Sequence, residues 1–193
     1  MDEKKGAEKK ERVIGPHGGY QKLRSYQVAQ IIYDETVIFC NRFIDRRSRT
    51  HDQMVQAARS GVRNLAEGSM ASATSKKTEM NLTNVARSSL EELLGDYVSF
   101  LKQQRLRLWP KDCPEALAVR AKYKSDESDK SDASDPYSIG MLPAEAAANT
   151  MICLINQASY LIGRQIRRQE ELFLNDGGFT ERLYRARMSR RKT

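Results

Sequence analysis

The sequence predicts an all-α fold, an antiparallel four-helix bundle with a basic C-terminal extension. Three observations predict it. Four segments repeat apolar residues at helical spacing, no segment alternates as a half-buried strand does, and two of the connections are short enough to favour antiparallel neighbours.

The first helix is expected from Tyr20 to about Asp45. Val28, Ile32, Phe39 and Phe43 form one stripe, and Tyr33, Val37, Cys40 and Ile44 form a second beside it. IDRRSRT is too polar to continue that face and ends it. The second helix is expected to begin near Asp52, with Met54, Ala58, Gly61 and Leu65 on one stripe and Val55, Val62 and Ala66 on its neighbour. Gly61 costs about 1 kcal/mol against alanine in a helix interior, and close approach of another helix backbone would offset it. Gly68 follows the last periodic residue, Ala66, where a glycine with positive φ ends a helix. Glu67 is then a last-turn acid, unfavourable for the helix dipole unless it accepts from the first amides of the next helix.

The third helix opens after the cap-forming residues of ASATSKK and runs through Leu82, Val85, Ala86, Leu90, Leu93, Leu94, Tyr97 and Leu101 to about Gln104. Trp109 and Pro110 mark its exit, with the lone tryptophan expected to plug one end of the core. Residues 120–136, RAKYKSDESDKSDASDP, have the composition of a flexible loop, and they lack the glycine and terminal glutamate of a calcium-binding loop. The fourth helix is expected after Pro143, through Ala147, Met151, Leu154, Ile155, Ala158, Ile162 and Ile166 to about Leu174. NDGG stops it. Beyond lies FTERLYRARMSRRKT, where Phe179, Leu183 and Met188 suggest a short basic amphipathic helix. The chain thus divides into a disordered charged tail over 1–19, the bundle over 20–174 and a basic suffix over 175–193.

A chain of 193 residues, 39% hydrophobic and 30% charged, suits one core of moderate size plus tails. No run of about 18 apolar residues occurs and the N-terminus offers no apolar signal segment, so the expected location is the cytoplasm, with no membrane partner. Cys40, Cys113 and Cys153 form no CxxC pair, and Cys40 and Cys153 read as small core side chains. The net charge of +8 is concentrated in a tail: Arg182, Arg185, Arg187, Arg190, Arg191 and Lys192 against Glu181 supply +5 of it. Such an arm is a candidate for binding phosphate backbones by counterion release, the other reading being a solvated helix end that keeps the protein soluble.

Little points to catalysis. His17 and His51 have no partner at ligand spacing and are expected to face solvent, and GPHGGY lacks the rest of a phosphate-binding loop. The Glu-x-x-His pattern of a di-metal bundle is absent, adjacent Glu91 and Glu92 cannot both face inward, and no GxSxG elbow surrounds Ser69, Ser88 or Ser89. No metal, cofactor or catalytic residue is expected. A hydrolase using Glu67 with water stays the remote alternative.

RNLAEGS at 63–69 and ARSSLEELL at 86–94 together resemble the paired motif of a four-helix bundle family, first met as proteins encoded in intervening sequences of bacterial 23S rRNA. Accessory proteins of diversity-generating retroelements resemble the same family. The match falls on Asn64, Leu65, Ala66, Glu67 and Gly68, then on Ser89, Leu90, Glu92 and Leu93, with Ser88 where the family has glycine. It spans Tyr20 to Gln104, and Pro143 to Leu174 by pattern. The resemblance implies a homopentamer of bundles, no catalysis and, in the retroelement branch, binding of RNA or DNA with a reverse transcriptase. Asn64, Glu67, Gly68, Ser89 and Glu92 would then be structural.

The expected function is therefore a non-enzymatic oligomer that binds nucleic acid through basic surface. Candidate phosphate contacts are the suffix cations above, Arg46, Arg47 and Arg49 at the first helix turn, and Lys76 and Lys77 at the start of the third helix. Cations at a helix N-terminus are disfavoured unless an anion binds there. The alternative is a scaffold that docks a partner protein or serves a nucleic-acid enzyme as accessory subunit.

Overall fold

The structure is a computed structural model that describes residue 14 and residues 17–125 and 135–191. The expected N-terminal tail up to residue 13, the centre of the expected loop (126–134) and Lys192 lie outside the described residues. Among the described residues the chain is all-helical: a 3-10 turn at Tyr20–Lys22, then α1 (Arg24–Phe43), α2 (Arg49–Ala71), α3 (Lys76–Gln103), α4 (Pro114–Ser125), α5 (Ala144–Asp176) and α6 (Phe179–Arg191). None of these helices is long and apolar enough to cross a membrane.

The four long helices share one core. Ile32, Phe39, Met54, Leu65, Leu90, Leu93, Tyr97, Leu101, Met151, Leu154 and Ile155 are all fully buried in it. Phe39 packs edge-on against Tyr97 and Phe100, with ring centroids 4.8 and 5.0 Å away, and the Tyr97 hydroxyl donates to Thr36 Oγ1 at 3.1 Å. Placing such a hydroxyl in a core without a partner would cost its desolvation. The stripes read from the sequence largely meet here, although Val85 is exposed and Val37 is not among the residues packed against this core.

The contact pairs fix the register. Cys40 Sγ lies 4.0 Å from Met54 Sδ where α1 meets α2, while Gly18 N donates to Ser69 O at 3.4 Å at the other end of α2. Ser60 and Ser89 bridge α2 and α3 at 2.8 Å. Gln169 Nε2 of α5 donates to Thr83 Oγ1 of α3 at 3.2 Å. Ser25 Oγ of α1 donates to Gln165 Oε1 of α5 at 2.5 Å, and at the far end of α1, Arg42 donates to the carbonyls of Ile139 and, at 2.9 Å, Leu142. The second half of α5 is therefore tied to the starts of α1 and α3.

Several boundaries differ from the sequence reading. α2 begins earlier than Asp52 because Ser48, inside the polar IDRRSRT cluster, caps it by accepting from Thr50 N at 3.2 Å. It also runs past Gly68 to Ala71. The expectation that Gly68 ends the helix with positive φ is wrong: Gly18, Gly19 and Gly177 are the described glycines with positive φ. A Cβ on Gly68 would stand 3.2 Å from Glu79 O and 3.4 Å from Leu82 Cβ, so this glycine lets α2 and α3 approach. Ser75 then caps α3, accepting from Thr78 N at 3.1 Å.

Trp109 does not plug the core. It is half-buried on the outside, its backbone N–H held by Asn149 Oδ1 at 2.8 Å. His51 is half-buried rather than solvent-facing, 3.4 Å from both Asn41 Oδ1 and Asp52 Oδ1. α4 was not expected at all, and it extends into the first residues of the segment read as loop. α5 ends where NDGG predicts, at Gly177 with φ 71°. Its residues 170–176 are exposed, so the helix projects past the shared core. α6 forms as expected but buries none of its residues, so Phe179, Leu183 and Met188 do not make it an amphipathic helix on the core.

Candidate nucleic-acid interface

The cations singled out from sequence fall into two groups at opposite ends of the long helices. Arg46, Arg47 and Arg49 are exposed at the α1–α2 turn. Lys76 and Lys77 stand at the other end of α2, just after the α2–α3 turn. At 1.5 Å per helical residue, α2 alone puts about 33 Å between the groups. They do not form one site.

Lys76 is already engaged. Its Nζ meets Glu79 Oε2 at 3.0 Å, one helical turn on, with both side chains largely shielded. That pairing accounts for a lysine at a helix N-terminus without an anionic ligand. Lys77 is exposed.

The suffix cations lie on α6. Its start is capped by Glu181, whose Oε2 accepts from Gly178 N at 2.5 Å. Arg182 is half-buried and donates to Ala73 O at 3.1 Å, which seats α6 against the α2–α3 turn. Arg185 donates to Asp176 O at 2.6 Å, satisfying a carbonyl at the end of α5. Arg187, Arg190 and Arg191 are exposed. The arm is thus partly structural, with its outer arginines open to solvent.

The structure adds a basic groove that sequence reasoning missed. Between the start of α1 and the second half of α5 runs an open groove of about 910 Å³. Arg24, Arg164, Arg167 and Arg168 line it against a single carboxylate, Glu171. Arg164, Arg167 and Arg168 recur at helical spacing on α5, so one face carries all three into the groove. Arg24 also stacks over the Tyr123 ring at 5.2 Å, and Arg164 over Tyr160 at 6.0 Å. At α1 the N-cap is Leu23, which offers no side-chain acceptor, and the first turn has no acid. The positive end of that helix dipole therefore adds to the four guanidinium groups. Gln165, bonded to Ser25, fixes the groove floor.

The signal for this groove was present in RQIRRQEE, where the spacing of Arg164, Arg167 and Arg168 is as regular as that of Ile162 and Ile166. The proximity of Arg24 was not. It comes from the tertiary pairing of α1 with α5.

The paired motif sits elsewhere, on the seam between α2 and α3. Asn64 Nδ2 donates to Ser60 O at 2.9 Å and lies 3.1 Å from Ser60 Oγ, which in turn meets Ser89 Oγ. Gly68 allows the close approach at one side, and Leu90 packs onto Gly61 at the other. Glu67 and Glu92 are exposed. Glu67 accepts nothing from the first turn of α3, which Ser75 caps instead. The motif therefore knits two helices at Asn64, Gly68 and Ser89, and points its two acids outward.

No protein-family model matches the chain, and comparison with curated proteins and with solved structures returns no match either.

Proposed function

We propose that this chain is an antiparallel four-helix bundle with a basic C-terminal extension, non-enzymatic and cytoplasmic, that binds RNA or DNA through one basic end. The single observation that carries the reading is the groove of Arg24, Arg164, Arg167 and Arg168, which lies at the same end as the α6 arginines. Guanidinium groups on one helix face, with aromatic rings beside them, suit a phosphate backbone and its bases. The alternation of contact pairs along α1, α2, α3 and α5 supports the antiparallel arrangement. The α2–α3 seam supports kinship with the intervening-sequence family, and with it a homo-oligomer, as a pentamer, in a bacterium. Repetition of one groove around such a ring would raise avidity without new contacts.

The test is binding of labelled random-sequence RNA and DNA across a salt series, with light scattering on each protein. Three chains are compared: the full chain, the chain ending at Asn175, and the triple variant Arg164→Gln, Arg167→Gln, Arg168→Gln. For duplex DNA the triple variant should lower the slope of log affinity against log salt by roughly 2 to 3, since each lost phosphate contact removes about 0.9. Truncation should lower it further. No binding by the full chain, or binding whose salt slope ignores both changes, overturns the reading. It would favour the alternative, a scaffold or accessory subunit for an enzyme such as a reverse transcriptase. Exposed Leu174 and Tyr184 at the same end are the apolar contacts such docking would use.

A further inference from the structure

A second cavity, remote from the basic groove, has a different chemistry. It opens between the outer faces of α3 and α5, with the start of α4 as its third wall, and holds about 450 Å³. That volume is typical of a small-molecule site. Val98, Leu108 and Ile152 give it apolar walls, and Trp109 stands at its edge. Lys111 and Arg120 are the charged groups that line it, and no carboxylate does. Neither cation enters an ion pair among the described residues.

The wall that carries the indole is fixed from below. Asn149, 1% exposed, accepts from Trp109 N at 2.8 Å and donates to the carbonyls of Arg107 and Glu145, each at 2.9 Å. One buried amide thereby holds the otherwise irregular segment after α3 against α5. Releasing those bonds would leave a buried polar group unpaired, so the cavity is preformed rather than a gap beside a loose loop. Arg120 is steadied as well, its Nε donating to Ala116 O at 3.3 Å one turn back on α4.

We propose that this cavity binds a small amphipathic anion with a flat aromatic body. The indole and the aliphatic walls would cover the ring system, and Lys111 and Arg120 would receive the carboxylate or sulfonate. An apolar slot with two cations and no acid favours that class over both neutral and cationic molecules.

Trp109, the chain's one tryptophan, lines this cavity and also a neighbouring cleft between α4 and the start of α5, so its emission reports that a dye is bound nearby and the variants at Val98, Lys111 and Arg120 assign the cavity. The probe is anilinonaphthalene sulfonate, with neutral phenylnaphthylamine as its uncharged counterpart, both titrated into the full chain. Expected is saturable one-to-one binding of the sulfonate, with Trp109 emission quenched by energy transfer in step with dye fluorescence. Lys111→Gln combined with Arg120→Gln should weaken the sulfonate about tenfold, a change of about 1.4 kcal/mol, and leave the neutral dye within twofold. Val98→Phe, at a side chain 37% exposed, should fill the mouth and abolish binding of both dyes while the thermal midpoint holds. Unsaturable binding or unquenched Trp109 overturns the site. Equal effects of the charge variant on both dyes overturn the anion selectivity. Loss of sulfonate binding as protein concentration rises would show that a second copy covers the cavity, and overturns it too.

Discussion

At the scale of single residues, Glu35 is a costly placement, fully buried on α1. Its Oε1 accepts from Tyr137 N at 3.3 Å, and its Oε2 has no hydrogen-bond partner among the described residues. Burial pushes the carboxyl up to about 8, the Tyr137 amide opposes the rise, and nearby Asp135 adds to it. The folded protein therefore carries Glu35 neutral at pH 7, while the unfolded chain ionises it near 4.3. Between those two values the folded state binds more protons than the unfolded one. Stability from this group is thus complete below about pH 4, falls as pH rises, and levels off above about pH 8. Glu35→Gln keeps the acceptor for Tyr137 and removes the titration. It should raise unfolding free energy at pH 7 by an amount on the order of 3 kcal/mol and flatten the pH profile over that window. Urea unfolding at a series of pH values checks it. A variant with the same pH slope as the wild type would show that Glu35 is not the group responsible.

At the scale of elements, two helix-interior glycines, Gly61 on α2 and Gly95 on α3, look alike in sequence and act differently. A Cβ on Gly61 would fall 2.9 Å from Leu90 Cδ2 and 3.0 Å from its Cγ, so the Leu90 side chain, fully buried, would have to shift within the core. Gly61→Ala should cost about 1 to 2 kcal/mol, because overpacking outweighs the gain of up to about 1 kcal/mol in helix propensity. Gly95, exposed in the interior of α3, has nothing within 4 Å of an added Cβ. Gly95→Ala should stabilise by roughly 0.5 to 1 kcal/mol, and paired urea midpoints with equal slopes would confirm the contrast. Gly61→Ala as stabilising as Gly95→Ala would mean the seam is looser than its geometry.

These glycines also mark what sequence can convey. The core stripes of α1, α2, α3 and α5 were legible because Ile32, Leu65, Leu90 and Met151 repeat with the helix period and all end up buried. Gly68 was misread because a glycine after a periodic run signals a C-cap as readily as a close approach, and the deciding atom, Glu79 O, belongs to another helix. α4 was missed because it buries only a thin stripe, Ala116 and Tyr123, beside a segment of disorder-like composition. Trp109 was misplaced because aromatic size argues for burial, whereas Asn149, distant in sequence, holds its backbone at the surface. The basic groove was half legible: α5 shows its arginine face in sequence, and only the α1–α5 pairing brings Arg24 to it.

At the scale of the whole molecule, the basic clusters singled out above lie at two ends. About 33 Å of α2 separates the Arg46, Arg47 and Arg49 turn from the end that holds the groove and α6. Exposed charges are screened over about 8 Å at physiological ionic strength, so the two ends act on a polyanion independently. The turn arginines are exposed, whereas Arg24 and Arg164 line the groove and lie over tyrosine rings. If one end seats the nucleic acid, Arg46→Gln, Arg47→Gln and Arg49→Gln together should leave the salt slope of duplex DNA binding within about one of the wild type, against the fall of roughly 2 to 3 for the α5 triple variant. Both variants remove the same formal charge, so net charge cannot explain a difference between them. Equal falls would mean that binding follows overall charge, and the polyanion would then have to contact both ends of the molecule.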